Sequence, residues 1–424
     1  MEQVAKRPVI VVGAGLAGLC CAQHLSRAQA PVRVLEAGSR IGGRVASEVV
    51  DGFRLDVGFQ VLLTAYPEAR AQLDYAALGL RAFRAGSLIR LSTATTRIVD
   101  PWREPLRGAA SLFTSPLLSI ADAVRMLRLR RRLLHDGPAP PGTASDVLDE
   151  LRLSPPLRHS FLGPFFSGVT LDPELAIPAD YFAFLFRMFA MGTAALPARG
   201  MGAIPAQLAG TLPAGTIRLG HQVREIGNDF VVLDDGVRMA ASAVVVATDG
   251  SAAAELVESV APPRWLGTTT LYFAADRAPI DEPMLMLNGT GDGPIHHVCV
   301  PSIVQPAYAV NGQALVSVSV LGGEGAAGKG PALADAVRTQ LSDWFDGAPR
   351  HWRWLRSYHI PHALPRLPAR QLAMSRPGIA RVGENVIVCG DHLATPSIQG
   401  AMLAGRHAAE AVLAGRATTR ASLP

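Results

Sequence analysis

Lysine is almost missing from this chain of 424 residues: of its 40 basic side chains, only Lys6 and Lys329 are not arginine. Chemistry that depends on a lysine therefore has two candidates. Cysteine is scarce too. Cys20, Cys21, Cys299 and Cys389 contain no C-x-x-C pair, which excludes a disulfide framework and a zinc-finger spacing and favours a reducing interior. Charged residues make up only 18% of the chain against 49% hydrophobic ones, the opposite of a disordered composition. Long apolar runs are absent as well: the greasiest stretch, Tyr181 to Gly192, is broken by Arg187 and falls short of the ~20 residues that a membrane span needs. The start lacks the ordered basic, apolar and small-residue segments of a signal peptide, so a cytoplasmic location is expected. The net charge is +5, with one arginine cluster at Arg125, Arg128, Arg130, Arg131 and Arg132. No aromatic residue interleaves that cluster, and nucleic acid is not an expected partner.

What is present is most informative near the start. Four apolar residues, Val9 to Val12, run into Gly13-Ala14-Gly15-Leu16-Ala17-Gly18, a small-residue helix pattern extends to about Arg27, and a second apolar run, Val32 to Leu35, ends at Glu36. Strand, turn, helix and strand make one βαβ unit. Gly13 permits the tight turn, Gly15 lets the backbone approach a pyrophosphate, and Gly18 lets helix pack on sheet. Glu36 is placed to accept the hydroxyls of an adenosine ribose and to repel a 2′-phosphate. Nucleotide binding follows, with Leu16 and Ala17 at the helix start and Ala37 after the acid.

From Tyr66 to Arg199 the periodicity is helical, punctuated by Pro138 to Gly142 and Ser154-Pro155-Pro156. Strands return from Thr216: Thr216 to Leu219, Phe230 to Leu233, an Asp235-Gly236 turn, Val237 to Ala240 and Ala243 to Ala247. Tyr272, Val298 to Val300 and a hairpin of Ala307 to Val310 with Ala314 to Val320 around Asn311-Gly312 suggest an antiparallel sheet, interrupted by a helix over Pro331 to Phe345. A strand over Asn385 to Cys389, a turn at Gly390-Asp391 and a helix from Gly400 to Leu413 closed by Gly415 end the pattern. There is no internal repeat, and the one biased tract is the Gly-rich loop Gly322 to Gly330.

Beyond Glu36 lies Gly38-Ser39-Arg40-Ile41-Gly42-Gly43-Arg44, a second glycine pair with an arginine able to make a charge-assisted contact. Here the sequence resembles the flavoprotein superfamily of amine oxidases, protoporphyrinogen oxidases and phytoene desaturases. Further segments carry the likeness: Leu55-Asp56-Val57-Gly58; Leu196 to Met201, where Arg199 replaces a family glycine; Val223; Val244 to Thr248; and Val386 to Asp391 followed by Ile398-Gln399-Gly400-Ala401-Met402. The resemblance implies non-covalent FAD held by Gly13, Gly15, Leu16, Ala17, Gly18, Glu36, Ala37, Gly42, Gly43, Arg44, Val223, Gly390, Asp391, Ile398, Gln399 and Ala401. It also implies an α/β fold: a Rossmann-like FAD-binding domain of the GR2 type with a βαβ start, formed by 1–65, 200–262 and 380–424, and an inserted α+β substrate domain formed by 66–199 and 263–379.

Family amine oxidases carry a lysine on the strand that here reads Leu266 to Tyr272, without one. That departure moves the expectation toward two-electron desaturation or dehydrogenation of a small, apolar molecule, by hydride transfer to the flavin. An FAD-dependent isomerase, an amine oxidase and a flavin-binding protein without chemistry of its own stay open as alternatives. His296 and His297 head a strand and are candidates for a base, His392 adjoins Asp391, and Phe59 and Gln60 follow the Asp-x-Gly step; none is assigned as catalytic, and no metal site is expected. The stretch 116–134 forms an amphipathic helix with Ile120, Val124 and Leu127 on one side and Arg125, Arg128 and Arg132 on another, a candidate for peripheral contact with an anionic membrane.

Overall fold

Val9–Val12 has no polar face, and all four residues are buried. A strand of this kind needs cover on both sides. It lies inside a six-stranded sheet whose order is Ile217–Leu219, Val32–Glu36, Val9–Val12, Ala243–Val246, Val386–Cys389 and Ile379–Val382. The first five strands are parallel and Ile379–Val382 is antiparallel. The description comes from a computed structural model covering residues 7–134, 141–322, 331–369 and 372–421, with side chains to residue 415. Lys6, Lys329, part of the Pro138 to Gly142 break and most of the Gly322 to Gly330 loop lie outside those residues.

Helices Leu16–Arg27 and Ile398–Ala421 pack on each other against this sheet. Their contact is backbone-close, since a Cβ on Gly405 would meet the Ala17 carbonyl oxygen at 2.1 Å. The last helix runs through Gly415 rather than stopping there. A meander of Val223–Ile226, Phe230–Leu233 and Arg238–Ala240 carries the expected Asp235-Gly236 turn.

A second sheet has seven strands in the order Arg353–Pro365, Trp265–Ala275, Ala314–Leu321, His297–Cys299, Leu285–Asn288, Gly86–Arg90 and Thr95–Val99. Its pairings are antiparallel except between Leu285–Asn288 and Gly86–Arg90. Helix Pro331–Trp344 covers one face, burying Leu333, Val337 and Leu341 against Val316, Val318 and Phe273.

Two expectations are corrected here. The hairpin around Asn311-Gly312 does not form: Pro301–Val304 and Pro306–Tyr308 are short helical turns, and Ala314–Leu321 pairs instead with Trp265–Ala275 and His297–Cys299. The prolines at 301 and 306 start these turns and remove the N–H groups a ladder would need. The block from Tyr66 to Arg199 is not wholly helical, because Gly86–Arg90 and Thr95–Val99 join the seven-stranded sheet. Arg81–Ala82 and Ala194–Leu196 also pair, with Leu62–Leu63, in a small three-stranded sheet, and the main helices of the block are Pro105–Thr114, Ile120–Leu134, Ala144–Glu150, Gly163–Thr170 and Ala179–Met191. Among the described residues no helix is long and apolar enough to cross a membrane.

Candidate active site

A cavity of about 820 Å³ runs from the six-stranded sheet to the seven-stranded sheet. At its first end the glycine turn is built by contact distances. Gly13 has φ +102°, a conformation that favours glycine, and a Cβ there would meet the Ala247 carbonyl at 2.8 Å. Gly18 would place a Cβ 1.9 Å from the Gly13 oxygen, whereas a Cβ on Gly15 would meet nothing within 4 Å. Gly15 therefore opens on the cavity, and Gly18 packs beneath it. Helix Leu16–Arg27 starts at this opening with no side-chain cap and no acid in its first turn, which leaves N–H groups and the positive dipole end free for an anion.

Glu36 ends the neighbouring strand, and its carboxylate accepts the Ala14 and Gly38 amides, each at 2.8 Å. The Gly42 amide donates to the Ala14 carbonyl at 2.8 Å, which seats the second glycine pair against the first turn. The His221 amide donates to the Glu36 carbonyl at 2.8 Å, bringing Val223 to the same wall. Arg44 donates from Nη1 to the Ala363 carbonyl at 2.9 Å and from Nη2 to Asp391 Oδ1 at 2.5 Å, with its guanidinium carbon 5.6 Å from the Trp265 ring centre. Burial disfavours the cation, but the Asp391 carboxylate outweighs it and holds the guanidinium above its usual range.

Of the residues singled out in the sequence, Gly13, Gly15, Leu16, Ala17, Glu36, Ala37, Gly42, Gly43, Arg44, Val223, Gly390, Asp391, Ile398 and Ala401 line this one cavity. Gly18 and Gln399 do not. Gly18 is taken up in backbone packing, and Gln399 turns away, its amide oxygen accepting the Glu68 amide at 2.9 Å. The glycine turn, the uncapped helix start and the bare Gly15–Gly43 floor together fit a dinucleotide cofactor.

Toward the seven-stranded sheet the wall turns apolar. Phe59, Leu63, Tyr66, Phe83, Phe165, Val169, Leu185, Phe189, Leu285 and Ile360 line it, with Gln60, Arg84, Thr193, Thr268, His297 and Ser319 as polar exceptions. Asp56 anchors the loop that carries Phe59 and Gln60. Buried at 3% exposure, it accepts hydrogen bonds from the Ser47 and Tyr308 hydroxyls and the Met201 amide, while its carbonyl accepts the Tyr272 hydroxyl. Burial pushes this carboxyl up to about 6, against the opposing pull of those donors. Of the acids in the lining, Glu36 and Asp391 stand at strand ends of the six-stranded sheet, and Asp249 and Glu255 cap and ride the helix Gly250–Leu256 that follows its strand Ala243–Val246. Arg84 at the apolar end is paired with Glu104 and Glu282.

Sequence reading missed Phe83, Arg84, Thr193 and Leu285. They sit on or beside short strands with no motif around them. His392 is buried outside the cavity lining. The four cysteines are buried and free, and burial pushes the Cys389 thiol up to about 12, as expected of inert structural thiols. Among the described residues no cluster of His, Cys, Asp and Glu could hold a metal.

The pattern of the family described as "Flavin containing amine oxidoreductase" matches residues 16–413. A segment of 99 residues is 41% identical to putrescine oxidase of Kocuria rosea, covering 23% of this chain and 20% of that protein. Another of 58 residues is 43% identical to carotenoid 3,4-desaturase of Haloarcula japonica, covering 14% of this chain and 12% of that one. These curated relatives are thus matched over a small part of their own length. The fold is similar throughout to a crystal structure of an oxidoreductase from Methanosarcina mazei, with a TM-score of 0.73 at 18% identity over 95% of this chain and 100% of that one.

Proposed function

Since this chain belongs to the flavin-containing amine oxidoreductases, an oxidoreductase family with FAD as cofactor, we propose that it removes two hydrogens from a small, uncharged and largely apolar molecule, as a desaturase or dehydrogenase does. The observation that carries this reading is the charge distribution of the cavity. Its lining acids all come from the strands of the six-stranded sheet and the segments that follow them, so an ammonium group at the apolar end would find no lining carboxylate to offset its desolvation, Glu104 and Glu282 being taken up by Arg84. Among the described residues there is also no lysine.

Bound FAD would supply the acceptor for the electron pair. The chain's own part is to hold and exclude. Gly13, Gly15 and the start of helix Leu16–Arg27 would receive the pyrophosphate, Glu36 the ribose, and Arg44 with Asp391 the middle of the cofactor. The aromatic wall of Phe59, Phe83, Phe165 and Phe189 would align the substrate and keep water away from the reacting bond. In this reading the six-stranded sheet with its meander is the cofactor domain, and the seven-stranded sheet with the helical block is the substrate domain.

The test is anaerobic. The yellow protein should bleach with an apolar dehydrogenation substrate, such as a carotenoid precursor or a porphyrinogen, and stay yellow with putrescine. Rapid bleaching by putrescine alone would sink the reading.

One surface supports a second proposal, peripheral contact with an anionic membrane. Leu106, Phe113 and Ile120 are 89%, 86% and 77% exposed on neighbouring helices, with Arg128 exposed nearby. Exposed apolar side chains on helices that also expose arginine suit a lipid interface better than water.

A further inference from the structure

His296 and His297 meet side by side, Nδ1 to Nδ1 at 2.9 Å. His297, 4% exposed, lines the main cavity beside Phe59, whose ring centre is 5.2 Å from its own. His296 belongs to a separate cavity of about 320 Å³, which Ser167 also lines. The pair thus stands in the wall between two chambers. Helix Gly163–Thr170 closes on it, because a Cβ on Gly168 would lie 3.0 Å from His296 Cε1 and 3.5 Å from His297 Nδ1.

The hydrogen bonds assign the protons. Burial holds both imidazoles below their usual range, His296 down to about 4, so each is neutral at physiological pH and carries one N–H. Ser167 donates its single hydroxyl hydrogen to the Pro164 carbonyl, 3.2 Å away in the same helix. With that hydrogen placed on the carbonyl, the Ser167 oxygen accepts from His296 Nε2 at 2.9 Å. In that arrangement His296 is protonated on Nε2, and its bare Nδ1 accepts from His297 Nδ1–H. The lone pair of the couple is left on His297 Nε2, which is buried and has no partner in the protein. A buried acceptor without a donor is rare in native structures and calls for an explanation.

We propose that His297 Nε2 is the substrate-recognising acceptor of the main cavity, and that its ligand is an uncharged, mostly apolar molecule presenting one N–H or O–H group. His296 and Ser167 are positioning residues that fix the His297 tautomer. The inference rests on reading the apolar end of the cavity as the substrate chamber, and it narrows that substrate to a molecule with a hydrogen-bond donor on an apolar frame.

The test uses flavin-loaded protein with ¹⁵N-labelled histidine and two probes, indole and benzothiophene, of nearly the same shape but with sulfur replacing the N–H. His297 should show a protonated Nδ1 and a bare Nε2. Indole should bind roughly tenfold more tightly than benzothiophene, the worth of one well-made hydrogen bond, and should shift the Nε2 resonance. His297→Phe should abolish the preference, His297→Gln should keep part of it through its amide oxygen, and Ser167→Ala should weaken it by releasing the tautomer. If His297→Phe does not fold, the other two variants decide. Equal affinity for the two probes, a preference that survives every variant, or a proton on His297 Nε2 would overturn the proposal. Flavin absorbance is recorded on each sample first, so that loss of cofactor, which would undo the wider reading, is distinguishable from loss of the histidine's role.

Discussion

Arg44 and Asp391, 347 positions apart in the chain, share a hydrogen-bonded ion pair of 2.5 Å in the wall of the main cavity. The carboxylate side chain is 6% exposed and the guanidinium 33%. Arg44→Ala would strand a buried charge. Removing one member of a fully buried pair typically costs ~3–5 kcal/mol, and the partial exposure of Arg44 reduces the expected loss to about 2 kcal/mol. Denaturant unfolding should show that loss, and the purified variant should carry less flavin per chain than the parent.

Gly15→Ala and Gly18→Ala, three positions apart, should fail in opposite ways. The new methyl at 15 meets open cavity, so that variant should fold with nearly parental stability yet bind FAD at least tenfold more weakly. At 18 it would strike the Gly13 carbonyl at 1.9 Å, and the protein should be strongly destabilised or insoluble. Circular dichroism with visible absorbance separates the two results; equal behaviour would refute the division of labour.

Asp56 gives stability a pH dependence. Its carboxyl sits at about 6 in the folded chain against 3.8 for an ordinary aspartate, because burial outweighs its hydrogen bonds. A group raised in this way stabilises the fold fully below its unfolded value, and the contribution drains away as pH rises through about 6. Asp56→Asn should flatten the fall in unfolding free energy between pH 4 and 7. An unchanged slope in the variant would mean that the carboxyl is not held as described.

Replacing Leu106, Phe113 and Ile120 together by serine should leave the fold intact, since all three side chains are exposed. Co-sedimentation with vesicles containing anionic phospholipid should drop several-fold, and parental binding should weaken with salt. Parental protein that ignores such vesicles would remove the membrane proposal.

The glycine turn was legible because each of its roles is local: a strand, a positive φ and a helix start fall within ten residues. Asp391 was legible by resemblance alone, while its partnership with Arg44 is a tertiary fact that neither segment announces. The strand Gly86–Arg90 was lost inside a helical pattern: it pairs locally with Thr95–Val99, but its other partner, which ties both to the large sheet, is Leu285–Asn288, nearly two hundred residues later. Asn311-Gly312 has the sequence of a hairpin turn, but Ala314–Leu321 found better-buried neighbours in Trp265–Ala275. Gln399 shows the same limit on a smaller scale: its place beside Ile398 and Ala401 pointed to the cavity, and helix geometry sent its side chain to Glu68 instead.

The cavity wall draws on Val12 near one end of the sequence and on Ala401 near the other. A ribosome adds these residues tens of seconds apart at ~5–20 residues per second. For nearly all of that time the glycine turn exists without Arg44's carboxylate partner and without the last helix that backs it. Flavin loading is thus a late event in the life of each molecule, and a chain released early, before Ala401, would leave the glycine turn with half a chamber.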